Sequence, residues 1–296
     1  IEAEQDRVTG DYTDFWRARD YVGKANKIKA SVFVTHGLED WNVKTQQFAQ
    51  WWDALGKAGV TRKLWLHPKA HGGSGDAWKL AVHRWFDHEL YGVANGIDTE
   101  KIASVERADG SVESYTNWPD PAARPRVLHL SPGALGDARS SATETFTDNG
   151  SVDTVEQLAV DPSTVSPHRL AYVTGPLATS TRLSGTPKLT LRASVDRTAA
   201  NLTAVLVDYG PTPRIVSRGW MDVQNRHSAA TSQPITPGQF YTFSFGQQPK
   251  DYVFAPGHQI GLVILSTDYD YTLRPRPGTG IAVKLAQSTL ELPLVP

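Results

Sequence analysis

The chain has 296 residues, 40% of them hydrophobic and 21% charged, with 30 Lys and Arg against 31 Asp and Glu and no cysteine. Such a composition buries ordinary globular cores over about two domains, and the balanced charge leaves no basic footprint for nucleic acid or an anionic membrane. Disulfide frameworks and thiolate metal sites are excluded, and no apolar run reaches the roughly 18 residues that span a bilayer.

The chain opens at Ile1, without Met or a signal-like apolar stretch, and reads as a fragment, a processed product or a mature segment. Residues 1–27 are polar and then aromatic. Thr13 or Asp14 is expected to cap a short helix that carries Phe15, Trp16 and Tyr21 towards a core. Residues 31–35 are mostly apolar and β-branched and stop at His36-Gly37, the pattern of a buried parallel strand that delivers Asp40 from its C-terminal end. A helix is expected from about 45 to 57, with Phe48, Trp51, Trp52 and Leu55 recurring at three- and four-residue steps as a buried stripe. A second strand at 62–66 runs into the loop His67-Pro-Lys-Ala-His71-Gly-Gly, completing one βαβ step. A second helix runs from Asp76 to about residue 90 with Trp78, Val82, Trp85 and Phe86 inward, and Gly92 stops it.

Between 93 and 125 the pattern breaks into Gly, Asp, Asn and Pro, and Asn117-Trp-Pro-Asp-Pro121 is the clearest linker mark. Short strands between turns follow, at 126–130, 170–174, 188–195, 202–208, 240–245, 259–266 and 281–285, which indicates a sandwich. The basic loop at Arg274 and Arg276 is read as a docking element. No solenoid repeat, heptad or low-complexity tract is visible.

Working groups in doubly wound sheets collect at the carboxyl ends of strands, and two neighbouring ends here offer Asp40 and His71. Acid before His is the chain order of the last two members of an α/β-hydrolase triad, where His takes the serine proton and the carboxylate orients the imidazole. The same residues also fit a helix N-cap and a solvated loop. No Gly-x-Ser-x-Gly occurs, and Gly72-Gly-Ser-Gly75 is followed by Asp76 where a closing Gly would stand. No metal site or cofactor is expected. His83 and His88 are five apart, not the four that places two ligands on one helix face, and His36 is read as a local hydrogen-bonding residue. Asp208, Asp222, Asp268 and Asp270 are scattered and suit turn and edge roles better than a calcium loop.

The motif His36-Gly-Leu-Glu-Asp-Trp-Asn-Val43 resembles the acid-bearing motif of the Xaa-Pro dipeptidyl-peptidase family of serine hydrolases, whose relatives include cocaine esterase and α-amino-acid ester hydrolases. Thr9-Gly-Asp-Tyr-Thr-Asp-Phe-Trp16, Leu66-His-Pro-Lys-Ala-His71, Trp85-Phe-Asp-His-Glu-Leu-Tyr-Gly92, Gly219-Trp-Met-Asp-Val-Gln-Asn225 and Leu265-Ser-Thr-Asp-Tyr-Asp-Tyr271 resemble further family segments in the same order. The resemblance implies an α/β plus all-β chain: the end of a helical cap region at 1–27, the C-terminal part of an α/β-hydrolase catalytic domain at 28–118, and a jelly-roll β-sandwich at 119–296. It also implies Asp40 as triad acid and His71 as triad base, with Trp41 and Asn42 bordering the substrate pocket unless Asn42 only holds the turn.

The serine elbow would then lie on an N-terminal segment of the same enzyme, absent from this sequence, and the chain alone would be inactive. Proline-containing peptides are the expected substrates, with neither nucleic acid nor membrane as partner. Family members include both intracellular and secreted bacterial enzymes, and secretion is the leaning here. An acyl or amino-acid ester hydrolase on the same scaffold, and a non-catalytic fragment binding carbohydrate or protein, are the competing readings.

Overall fold

The structure, a computed structural model, describes residues 4–149, 152–273 and 277–296. The basic loop at Arg274 and Arg276 therefore lies outside the described residues. The chain forms two units, one made of Asp20–Ala123 with Pro249–Asp251, the other of the residues up to Arg19 with Arg124–Gln248 and Tyr252–Pro296. This division differs from the expected one: the segment read as the end of a cap splits at residue 19, and the boundary falls after 123 rather than 118. The first helix, α1 (Asp14–Arg17), follows Thr13 as expected, but it buries none of its residues. Trp16 is 38% and Tyr21 64% exposed, so these aromatics do not form the inward face expected of them.

The α/β unit is built on β1 (Val32–Gly37), α2 (Thr45–Lys57), β2 (Arg62–His67), α3 (Asp76–Tyr91), β3 (Ala103–Glu106) and β4 (Val112–Tyr115). β1 and β3 both pair parallel to β2, from Val32 opposite Arg62 to Gly37 opposite His67 on one side, and β4 closes antiparallel on β3. The central β2 is buried from Lys63 to His67, as a parallel strand flanked on both sides should be. β1, expected to be buried, is only half-buried because among the described residues it pairs with β2 alone. Phe48, Trp52 and Leu55 of α2 turn inward as their spacing requires. On α3 only Ala81 and Trp85 are fully buried, while Phe86 is half exposed: it stands about 100° round the helix from Trp85 and misses the stripe.

The expected linker is instead part of this core. β3 and β4 lie within it, and Trp118, 2% exposed, packs with Phe48, Trp52, Leu64, Leu66 and Val105. The Trp52 indole donates to the Trp118 carbonyl at 2.9 Å, and the Trp118 indole donates to Asp251 at 3.2 Å. Four-residue strands between Gly and Asp turns carry too little periodicity to be read from sequence.

The second unit is strand-rich. It comprises β5 (Arg124–Ser131), β6 (Ala134–Gly136), β7 (Thr143–Thr147), a one-turn helix α4 (Val155–Ala159), β8 (Leu170–Val173), β9 (Thr181–Gly185) and β10 (Lys188–Val195). β11 (Asn201–Tyr209), β12 (Arg214–Asp222), β13 (Tyr241–Gly246), β14 (Lys250–Phe254), β15 (Gln259–Leu265) and β16 (Gly280–Val295) complete it, β14 beginning in the α/β unit. The main path runs β12-β11-β15-β8-β6-β5-β16-β10-β13. Pairing along it is antiparallel except between β6 and β8. Alternate residues of β10 and β13, among them Leu189, Leu191, Phe243 and Phe245, enter one large apolar core with Leu202, Leu262 and Leu290. All seven strands expected by pattern are present, and β6, β7, β9, β12 and β14 are additional. Among the described residues no helix is long and apolar enough to cross a membrane.

Candidate active site

Asp40 lies in the turn after β1, and His71 in the loop after β2. The two strands run parallel and in register, so their carboxyl ends open side by side and the two loops meet. The Leu38 N–H donates to the His67 carbonyl at 2.8 Å, and the Glu39 N–H donates to the Lys69 carbonyl at 3.1 Å. The approach depends on Gly37, where a Cβ would sit 2.0 Å from the Ala70 carbonyl oxygen and 2.4 Å from that of Lys69.

The Asp40 side chain is 5% exposed and its acceptors are filled. Oδ1 accepts from the N–H groups of Asn42 at 3.0 Å and Val43 at 2.9 Å, an Asx-type turn, and Oδ2 lies 2.8 Å from His71 Nδ1. Burial alone would raise the carboxyl pKa, but the bonds from His71, Val43 and Asn42 outweigh it and hold the group below its ordinary value. An ionised carboxylate only accepts, so His71 Nδ1 is the donor of this bond and Nε2 is the ring nitrogen turned away from Asp40. The His71 side chain is 71% exposed. The arrangement is one buried, oriented carboxylate behind one solvent-facing imidazole, which is the geometry of an acid–base relay.

The other sequence candidates divide. Asn42 is exposed and gives its backbone N–H to Asp40, while Trp41 is half-buried with Lys250 Nζ 4.5 Å from its ring centroid. His36 bonds locally, its Nε2 lying 3.0 Å from the Val43 carbonyl at the far end of the acid turn, and burial depresses its pKa. His67, wholly buried at the end of β2, has Nε2 3.0 Å from the Gly72 carbonyl, and burial likewise depresses its pKa. Ser74 of the Gly-Gly-Ser-Gly imitation donates its hydroxyl to Glu106. In the strand-rich unit Asp268 pairs with Arg218, Asp208 bonds to His258 and Tyr252, and Asp222 accepts from the Gln224 N–H.

Lys250 is the site residue that the sequence did not reveal. It is 2% exposed and donates to the Leu38 carbonyl, 212 positions away in the chain, so no local pattern marks it. Tyr12 and Trp16 line an open cavity of about 400 Å³ in the strand-rich unit together with Asp11, Trp220, Asp222 and Asn225. Trp220 is half-buried there and donates its indole N–H to Asp268 at 2.8 Å.

Comparison with known proteins places this geometry in a lineage. The model of the X-Pro dipeptidyl-peptidase C-terminal non-catalytic domain matches residues 95–292, and that of the X-Pro dipeptidyl-peptidase S15 family matches residues 2–73, which include Asp40 and His71. A Bacillus cereus protein assigned as an Xaa-Pro dipeptidyl-peptidase is 47% identical over 302 residues, covering 99% of this chain and 52% of its own length. The Xaa-Pro dipeptidyl-peptidase of Lacticaseibacillus casei is 31% identical over 348 residues, covering 99% of this chain and 43% of its own. An α-amino acid ester hydrolase structure superposes with a TM-score of 0.75 at 19% identity, covering 96% of this chain and 59% of that one, which shows a shared fold of α/β-hydrolase type. The chain spans about half the length of its Bacillus relatives. With one family model matching most of the chain and a second covering the loops of Asp40 and His71, the chain belongs to the X-Pro dipeptidyl-peptidase family.

Proposed function

We propose that this chain carries the acid and base of a Ser-Asp-His triad, Asp40 and His71, within a serine exopeptidase that releases Xaa-Pro dipeptides from peptide N-termini. The observation that carries the reading is the buried Asp40 carboxylate 2.8 Å from a solvent-facing imidazole. The nucleophile comes from a segment of the same enzyme outside this sequence. Two facts support that part: the sequence contains no Gly-x-Ser-x-Gly, and β1 holds Val32, Phe33 and Val34 half-buried while pairing, among the described residues, with β2 alone. The strand-rich unit is read as a jelly-roll β-sandwich, on its antiparallel pairing around one large apolar core.

In this scheme the serine hydroxyl attacks the carbonyl after proline and His71 Nε2 takes its proton. The imidazolium, stabilised by Asp40, then protonates the leaving amine, and a water deprotonated by the same ring releases the dipeptide from the acyl-enzyme. Backbone N–H groups beside the serine elbow supply the oxyanion hole. Trp41 and Asn42 border the pocket. The chain by itself is inactive because oxyanion binding without the nucleophile leaves only residual catalysis.

The test treats the full-length enzyme with a fluorophosphonate probe and assays a Gly-Pro anilide beside a simple aryl ester. Label on a serine outside this chain, with Gly-Pro release, is the expected result. Ester hydrolysis without Gly-Pro release would transfer the site to an acyl or amino-acid ester hydrolase. Failure of folded full-length enzyme to take label would leave a fragment that binds carbohydrate or protein without catalysis.

A further inference from the structure

We propose that Lys250 is a positioning residue for the triad acid, gripping the chain on both sides of Asp40; the inference rests on the reading of Asp40 and His71 as acid and base. Its side chain is 2% exposed, and a buried ammonium is kept in a fold only where its charge and donors are matched. Nζ donates to the Leu38 carbonyl, stands 3.6 Å from a Glu39 carboxylate oxygen and lies 4.5 Å from the centroid of the Trp41 ring. These partners are residues 38, 39 and 41. Asp40 itself is left to Asn42, Val43 and His71.

The Leu38 carbonyl is one end of the peptide group whose other end, the Glu39 N–H, donates to the Lys69 carbonyl two residues before His71. In a trans peptide these two groups point in opposite directions. A single peptide plane therefore spans from the Lys250 ammonium to the His71 loop, and a cation on its carbonyl strengthens the donor at its far end. Removing the ammonium frees the Leu38 carbonyl, the end of that peptide which faces away from the His71 loop. Asp251, the next residue, is equally buried but serves elsewhere: it accepts from Arg107 at 2.6 Å and from Trp118 at 3.2 Å, which makes it the internal control.

The test is made in the full-length enzyme with Lys250→Met, which keeps the aliphatic stem, and Lys250→Gln, which keeps a neutral donor. Asp251→Asn serves as the control, and Asp40→Asn and His71→Ala stand beside it. In both Lys250 variants, kcat for a Gly-Pro anilide and the rate of fluorophosphonate labelling are expected to fall together by about ten- to a hundred-fold with KM held within about twofold. Asp251→Asn is expected to lower the unfolding temperature with kcat unchanged. Folded Lys250 variants with wild-type kcat would overturn the assignment, as would failure of both to fold, which would make Lys250 a folding residue. If Asp40→Asn and His71→Ala kept their turnover, the triad reading would fall and this inference with it; loss in those two with wild-type turnover in the Lys250 variants would sink the positioning role alone.

Discussion

Each unit of the molecule holds an Asp–His pair of nearly the same length, and the two differ in how they are covered. In the α/β unit Asp40 Oδ2 meets His71 Nδ1 at 2.8 Å; in the strand-rich unit Asp208 Oδ1 meets His258 Nδ1 at 2.9 Å. Both acids are buried. They differ in everything behind and in front of the bond. Asp208 spends its second oxygen on the Tyr252 hydroxyl at 2.7 Å, whereas Asp40 is filled by the N–H groups of its own turn. The His258 side chain is 25% exposed and packed so closely on Gly210 that a Cβ there would lie 2.6 Å from Nε2; that of His71 is 71% exposed. A pair that holds structure together covers both partners. The pair proposed as acid and base covers the carboxylate and opens the imidazole.

The strongest way to break this contrast is to remove the open pair. Asp40→Asn or His71→Ala in the full-length enzyme is expected to cut turnover by at least about 10⁴-fold, the size seen when a triad loses its carboxylate, with the circular dichroism spectrum of the folded protein nearly unchanged. Wild-type turnover in both would end the distinction. Next comes Gly37→Ala, whose Cβ would meet the Ala70 and Lys69 carbonyl oxygens. It should cost about 3 kcal/mol in urea unfolding, the upper end for overpacking, and lower turnover as the acid and base loops part. Asp208→Asn should do the reverse of the first pair: a loss of about 1–2 kcal/mol in stability, from a buried bond left poorly matched, with turnover unchanged.

The smallest effect is acid titration. The Asp40 pKa is lower in the fold than its ordinary 3.8, so the carboxylate stabilises the fold above that value and its contribution is lost as pH falls through the lower folded value. The stability difference between wild type and Asp40→Asn should therefore hold from neutrality down to about pH 4 and shrink below it. A difference that instead vanished on raising the pH from 5 to 7 would contradict the direction of the shift.

Much of the α/β unit was legible because its signals are local. A 3.6-residue stripe places Phe48, Trp52 and Leu55 on one face of α2, and two β-branched or apolar runs ending in loops predict that Asp40 and His71 stand at strand mouths. The same local logic fails where an element is short or a residue's role depends on a distant partner. Trp118 stands among Asn, Pro and Asp like a linker residue, yet it lies in the core, packed with Phe48 and Trp52, and its indole N–H donates to Asp251. Phe86 reads as buried on an amphipathic helix and is half exposed, since periodicity gives the face of a helix but not how wide the cover over it is.

By itself, the sequence determined the family and the longer elements, and it singled out Asp40 and His71 as candidates at two strand mouths, because motif spacing and hydrophobic period are properties of neighbouring residues. Only the tertiary structure decided that Asp40 and His71 bond, that Asp208 and His258 form a closed counterpart, and that Lys250 reaches the acid turn from 212 positions beyond Leu38. Hydrogen bonds between loops and the burial of a charge depend on which strand ends lie side by side and which surfaces exclude water, and neither is written in any local stretch of chain.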